Sequence, residues 1–355
     1  MFERINKRRL KLLKKLIVNT RINADLAHYI QNRFNILRLN RNRDTIIAHP
    51  TNGMIELGNQ CNLHCVMCPR EFQYGKEMDK GYMPLDRAKQ IIDEMYPYLD
   101  SIGLTGLGET MLYPHLLEVV QYIKKKKKSI IITISTNAHL KDYKERIEPI
   151  LPYLDNIQFS VDGGDQNTYS TIRPDTSFEI IKENIKYTIN KGKNVTSMIN
   201  FVAMKENYHD MTNVVLLAHE LGIKYVNFNC VSIASNPTAQ RTYYEFFQSA
   251  EFIKAKEDVI AMRKRFPDME ITGPDYPING KFQDCIFPWE YPYITWDGYY
   301  VPCCGKPFPK LLNFGNVFEK GVMNVLNSPE AQAFRRKWQQ NTPPSFCHNC
   351  QLTRN

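Results

Sequence analysis

GMIELGNQCNLHCVMC, residues 53–68, joins a short β-rich run to three cysteines at C-x3-C-x2-C spacing. The run Gly53–Gly58 is the first of six. Others follow at 101–105, 129–135, 156–161, 196–203 and 224–230, and helical patterns come after each, at about 85–98, 115–128, 142–151, 178–191, 208–221 and 243–266. Thr176 and Glu179 stand at capping-box spacing ahead of the fourth helix. Apolar strands alternating with helices predict a parallel sheet covered by helices. Right-handed crossovers curl such a series, and six units fall short of the eight of a closed barrel. The fold expected is therefore α/β, an open (β/α)6 partial TIM barrel, with its site where the βα loops leave the C-terminal strand ends.

The rhythm divides the 355 residues into a helical extension (1–52), the β/α core (53–272) and a cysteine-rich unit (273–355) opened by Gly273-Pro274-Asp275-Tyr276-Pro277. A helix is expected there at about 328–340, with short β runs at 291–301. The formal charge of +9 is confined to the extension: residues 1–44 carry twelve Lys/Arg and three acids, and the remainder 34 of each. A balanced body argues against a nucleic-acid-coating protein. The basic helix expected at 5–17 points to docking on the barrel, on an acidic partner or at a membrane surface. Lys124–Lys128 ends a helix, where it complements the dipole. No apolar run reaches the length of a membrane span, and Lys14 and Lys15 interrupt any secretory signal.

Nine cysteines without a signal peptide point to metal or cluster ligation in a reducing cytoplasm rather than to disulfides. Cys61, Cys65 and Cys68 can hold three corners of a [4Fe–4S] cluster and leave one iron open. The same triplet also suits zinc, or an electron-transfer cluster with a distant fourth ligand. The loop after the second strand carries Gly106-Leu107-Gly108-Glu109, glycines for close approach and a carboxylate for an ammonium group. Ser135 and Asn137 follow the third strand and suit ribose hydroxyls. Ser160 and Asp162 follow the fourth, and Arg173 in the same loop can hold a carboxylate bidentately. A ligand with an amine, a carboxylate and a ribose, such as S-adenosylmethionine (SAM), satisfies them together.

On these motifs the chain resembles the radical SAM superfamily, over roughly residues 53–355. Gly106-Leu107-Gly108-Glu109 looks like that family's amine-binding GGE motif, with Leu107 replacing the first glycine. The resemblance implies that Cys61, Cys65 and Cys68 hold a site-differentiated [4Fe–4S] cluster, and that Gly106, Gly108, Glu109, Ser135, Asn137, Ser160, Asp162 and Arg173 surround SAM. One electron, drawn from an external reductant, then releases a 5′-deoxyadenosyl radical. Cys285, Cys303, Cys347 and Cys350, with Trp296-Asp297-Gly298, resemble the SPASM/Twitch extension of the same superfamily, which implies an auxiliary [4Fe–4S] cluster. Only five residues follow Cys350, which favours the one-cluster Twitch version; a four-cysteine zinc ribbon has compatible spacing.

Cys304 and Cys230 remain. Both read as small buried hydrophobes, or as hydrogen donors for an epimerisation, Cys230 first because it ends the sixth strand. His64 and Met67 shape the cysteine loop. Three outcomes compete: oxidation of a small metabolite, its epimerisation, or radical modification of a peptide. The first 50 residues are too short for a peptide-recognition domain, which favours a sugar- or cyclitol-like substrate. A non-enzymatic iron–sulfur or zinc module, for electron transfer or nucleic-acid binding, leaves the barrel-mouth motifs unexplained.

Overall fold

Strands form where side chains alternate between two faces. In β3 (Ile131–Thr136) a half-buried residue alternates with a buried one at every step. The face carrying Ile132 and Ile134 is sealed under helices, and the face carrying Thr133 and Ser135 lines the lumen. The same logic produces β1 (Asn52–Ile55), β2 (Ser101–Leu104), β4 (Asn156–Ser160), β5 (Thr196–Ala203) and β6 (Tyr225–Cys230). All six lie parallel, each paired with the next. This is the open (β/α)6 partial barrel, seen in a computed structural model that describes residues 24–232, 236–274, 281–348 and 350. The covering helices include α1 (Leu85–Met95), α2 (Leu116–Lys126), α3 (Phe178–Lys191) and α4 (Met211–Glu220).

Three details differ from the sequence reading. The long helix expected at 243–266 is two, α5 (Pro237–Phe246) and α6 (Ala250–Arg265), because the Ser249 side chain accepts from the Phe252 N–H at 3.2 Å and starts a new helix. The cap of α3 is Ser177 rather than Thr176, whose hydroxyl instead donates to the Arg173 carbonyl. The sheet also continues past its six strands. At one edge β7 (Glu270–Thr272) pairs with β6; at the other, β8 (Tyr293–Ile294) adds parallel to β1 and carries β9 (Tyr300–Val301) antiparallel beside it. The C-terminal unit is thus hydrogen-bonded directly to the barrel, through Met54 N–H to Pro292 O (3.0 Å) and Glu56 N–H to Ile294 O (2.9 Å). Its helix α7 (Pro329–Gln339) falls where expected.

The helix expected at 5–17 lies outside the described residues. The described part of the extension is docked on the body. Tyr29 and Arg33 bond Asp100, Asn40 donates to Trp289 O at 3.1 Å, Trp289 Nε1 donates to Asp44 O at 2.8 Å, and the buried Arg335 donates to Thr45 O. The lysine run is structural: Lys124 pairs with Asp155 at 2.6 Å, Lys126 with Asp93 at 2.7 Å, and Lys127 Nζ donates to Leu99 O at 3.0 Å. Among the described residues no helix is long and apolar enough to cross a membrane.

Candidate functional site

The chain leaves β1 into the cysteine loop. The Val66 N–H donates to Ile172 O and the Cys68 N–H to Cys65 O, both at 3.0 Å, which fixes the turn between Cys65 and Cys68. Burial raises each thiol above the usual range, Cys68 to about 11; a neighbouring cysteine disfavours the Cys61 and Cys68 thiolates further, and Asp162 does the same to Cys65. Bare thiolates are therefore unstable here, and ligation is what makes deprotonation favourable. The buried Arg70, two residues after Cys68, acts electrostatically on all three thiols, and its Nη1 has no hydrogen-bond partner. An orphaned buried cation beside three thiols fits an anionic thiolate-ligated cluster.

The polar groups read from the strand ends gather around this loop. Glu109 is buried, and desolvation raises its carboxyl above the ordinary value despite bonds from the chain's own N–H groups. Its Oε2 accepts from Asn137 N–H at 2.7 Å and its Oε1 from Met111 N–H at 3.1 Å. The Asn137 side chain reaches Asn62 Oδ1 at 3.0 Å and Cys61 Sγ at 3.8 Å. It is aimed by Ala138, a non-glycine held at φ 54° with its carbonyl tied to Asn184. Arg173 grips Asp162 Oδ2 through Nε (2.8 Å) and Nη2 (2.7 Å), and its Nη1 lies 3.5 Å from Cys65 Sγ. Burial opposes its charge, but Asp162, Cys65 and Tyr169 outweigh that and hold the guanidinium ionised. The fork read as a carboxylate grip is thus filled by Asp162, whose Oδ1 takes the Val202 N–H at 2.7 Å.

The glycines of the second loop answer to the chain itself. A Cβ on Gly106 would stand 2.5 Å from Glu56 Oε2, and one on Gly108 would stand 2.6 Å from the Gln60 carbonyl and closer still to that of Gly58. The loop is pressed onto the strand that carries the cysteines, with Glu109 N–H donating to Gln60 O at 2.8 Å.

Along the lumen face runs a ladder of amides and hydroxyls. Ser135 Oγ and Asn200 Nδ2 both donate to Gln158 Oε1 (3.0 and 2.9 Å), Asn227 donates to Asn200 Oδ1 (3.2 Å), and Thr272 Oγ1 to Asn227 Oδ1 (2.5 Å). Ser160 sits in register with Asn200. Cys230 does not share that face. The alternation of β6 puts it with buried Val226 and Phe228, and its thiol points to Pro274 O at 3.8 Å, so a lumen-facing hydrogen donor gains no support. His64 is largely exposed, its ring 3.1 Å from Glu71.

The second thiol set is assembled from three segments. The short turn before Cys285 is pinned by Trp338 of α7, whose ring stacks 4.2 Å from Phe282 and whose Nε1 donates to Phe282 O at 3.1 Å. Lys306 Nζ reaches from the Cys303 turn to the carbonyls of Phe346 (2.5 Å) and His348 (2.8 Å), which brings Cys347 and Cys350 alongside. Burial pushes Cys285 up to about 12, with Cys303 and Cys350 adding to it; Cys347 is raised by burial and by all three partners. Arg43 reaches this set too, acting on Cys285, with its own buried Nη1 unpartnered. Cys304 donates to Cys303, which holds the Cys303 thiol low. Among the described residues no three His, Cys, Asp or Glu side chains are grouped as ligands of a single metal ion.

The sequence reading passed over Arg70, Arg43, Lys306, Glu56 and the ladder amides. Only the ladder left a legible signal, polar residues at every second position of β4 and β6 and Asn200 between them on β5.

Comparison with known proteins agrees with this geometry. Residues 55–218 match the Radical SAM superfamily model, and residues 285–351 match an iron–sulfur cluster-binding domain, SPASM. The chain is 25% identical over 323 residues to a tungsten-containing aldehyde ferredoxin oxidoreductase cofactor-modifying protein of Pyrococcus furiosus, covering 84% of this chain and 86% of the relative. It is 26% identical over 341 residues to the antilisterial bacteriocin subtilosin biosynthesis protein AlbA of Bacillus subtilis, covering 92% and 71%. Streptococcus suis SuiB, solved with S-adenosylmethionine, superposes with a TM-score of 0.67 at 18% identity, over 93% of this chain and 78% of that one. SuiB solved with its precursor peptide SuiA gives 0.63 at 19% identity, over 90% and 73%. Both motifs read from the cysteine spacing coincide with these matches, and the chain belongs to the radical SAM superfamily, as an enzyme with a C-terminal SPASM domain.

Proposed function

We propose that this radical SAM enzyme modifies a peptide. The observation that carries the reading is the match to AlbA, a bacteriocin biosynthesis protein, along 92% of the chain. The SuiB complex with a precursor peptide supports it. The relatives thus favour the peptide over the small metabolite expected from the length of the N-terminal extension. A polyhydroxylated metabolite is the second reading, favoured by the amide ladder of the lumen.

In this proposal Cys61, Cys65 and Cys68 hold a cluster with one open iron, and Cys285, Cys303, Cys347 and Cys350 enclose an auxiliary one. When bound, the first cluster and SAM supply a carbon radical that takes hydrogen from the substrate. The chain's own residues orient and insulate. Asn137 and Arg173 face the Cys61 and Cys65 sulfurs, and Arg70 and Arg43 offset thiolate charge. Gly106–Glu109 presents the glycines read as allowing close approach and the Glu109 carboxylate read as pairing the cofactor amine, and Ser135 and Ser160 present hydroxyls at the strand ends.

The test is anaerobic reconstitution with dithionite, SAM and pooled synthetic peptides, following 5′-deoxyadenosine and peptide mass. Peptide-stimulated 5′-deoxyadenosine together with a mass change supports the reading. Stimulation by cyclitols or sugars and by no peptide would overturn it in favour of the second.

A further inference from the structure

The Glu56 carboxylate has no part in the chemistry above, yet it is wholly buried at the end of β1. It stands on the lumen side, in step with Asn52 and Met54, whereas Gly53 faces Met95 and Leu99 of the helical layer. Three donors converge on it. One is the Leu107 N–H, at 2.8 Å, from the middle of the Gly106–Glu109 loop. The other two come from the C-terminal unit: the Tyr293 hydroxyl of β8 at 2.6 Å and the Trp296 N–H, from the Trp-Asp-Gly turn, at 3.4 Å. The absent side chain of Gly106 is what lets the carboxylate reach in, since a Cβ there would meet Glu56 Cβ at 2.6 Å. Trp296 also covers the segment after the cysteine loop, where a Cβ on Gly81 would stand 2.5 Å from its ring carbons. Gly81 in turn is tied to Asn59 at 2.9 Å, next to the cysteine loop.

A buried carboxyl is stable only when its oxygens are paired, and removal of one donor leaves an acceptor short in a dry site. Two of these donors belong to the unit that holds the second thiol set, and the third belongs to the loop beside the first. The carboxylate therefore cannot be satisfied unless β8 is seated on β1 and the Gly106–Glu109 loop is pressed home at the same time. Folding of the auxiliary-cluster domain and the shape of the cofactor loop share one bonded group.

We propose that Glu56 is a positioning residue that couples the seating of the SPASM domain to the SAM-amine loop, so that the cofactor site is complete only with the auxiliary domain docked. This rests on the reading that Gly106–Glu109 receives the cofactor. Tyr293→Phe removes one hydroxyl, in the C-terminal unit, and leaves Leu107 on Glu56. In fully reconstituted protein with unchanged iron content, titration of SAM under anaerobic conditions is expected to show affinity weakened about 5-fold or more. Glu56→Ala is expected to weaken it further, and Glu56→Gln, which keeps an acceptor oxygen for Tyr293 and Leu107, to restore most of the loss. If Glu56→Ala does not fold, Tyr293→Phe decides alone. Wild-type SAM affinity in Tyr293→Phe, with only a lower melting temperature, would reduce the contact to domain packing and overturn the coupling. Glu109→Gln separates the two readings. Weaker SAM binding there with none lost in Tyr293→Phe refutes the coupling alone; no loss in either refutes the loop reading and the coupling with it.

Discussion

Glu56 makes a measurable contribution to how stability depends on pH. Burial raises its carboxyl from 4.5 to about 7, more than the bonds from Tyr293, Leu107 and Trp296 can offset. The folded protein therefore holds a proton that the unfolded chain has released, and stability is lost as pH rises from 4.5 through about 7. At about 1.4 kcal/mol per pH unit, the part of that window above pH 5.5 amounts to about 2 kcal/mol. A chain of 355 residues unfolds with an entropy of about 0.75 kcal/mol/K, so the loss appears as about 3 °C in Tm. Glu56→Gln carries no proton to lose. Melting of both proteins, reconstituted and anaerobic, from pH 5.5 to 8 is expected to show wild type falling about 3 °C further than the variant. Glu109, also raised by burial, titrates in both and cancels in the comparison. Parallel curves would show that the Glu56 carboxylate is ionised throughout and that its burial has been misjudged.

Other perturbations separate the two thiol sets and the Asp162–Arg173 ion pair after β4. Asp162→Asn leaves the buried Arg173 guanidinium short of its counter-charge; about 3–5 kcal/mol is expected, or about 4–7 °C in Tm, and Asp162→Leu with Arg173→Met should recover part of it. Gly108→Ala drives a methyl against the carbonyls of Gly58 and Gln60, which are backbone and cannot move aside alone; iron should fall to about four per chain, with the auxiliary cluster's electron paramagnetic resonance signal retained. Cys347→Ala should remove about four irons of about eight and leave the SAM-responsive signal; full iron retention would exclude Cys347 as a ligand.

The β/α rhythm could be read along the chain because each strand and helix announces itself through its own periodicity. Ile132 and Ile134 alternate with Thr133 and Ser135 whatever lies beside them, and the helix at 178–191 was placed to the residue. Its cap was missed by one position, because Thr176 and Ser177 are both capping residues and only the turn at Arg173 selects between them. The cysteine triplet was legible for a similar reason, since eight residues suffice to hold its spacing.

Contacts across long separations were not legible. The short β runs expected at 291–301 are β8 and β9, but two residues carry no period that could show β8 pairing with β1. Arg173 read as a free fork for a ligand, and the fold filled it with Asp162. Cys230 read as facing the site because it ends a strand, but a period-2 alternation can be phased only once one face is known to be covered. Glu56 looked like one polar residue in an apolar run, and its partners lie 51, 237 and 240 positions away. The sequence by itself determined most of the elements, their order and the two cysteine groupings, because local periodicity and spacing encode them. Only the tertiary structure decided which polar groups are already satisfied and which are left for a ligand. That depends on which distant donor arrives in the same buried volume, and no local pattern carries that information.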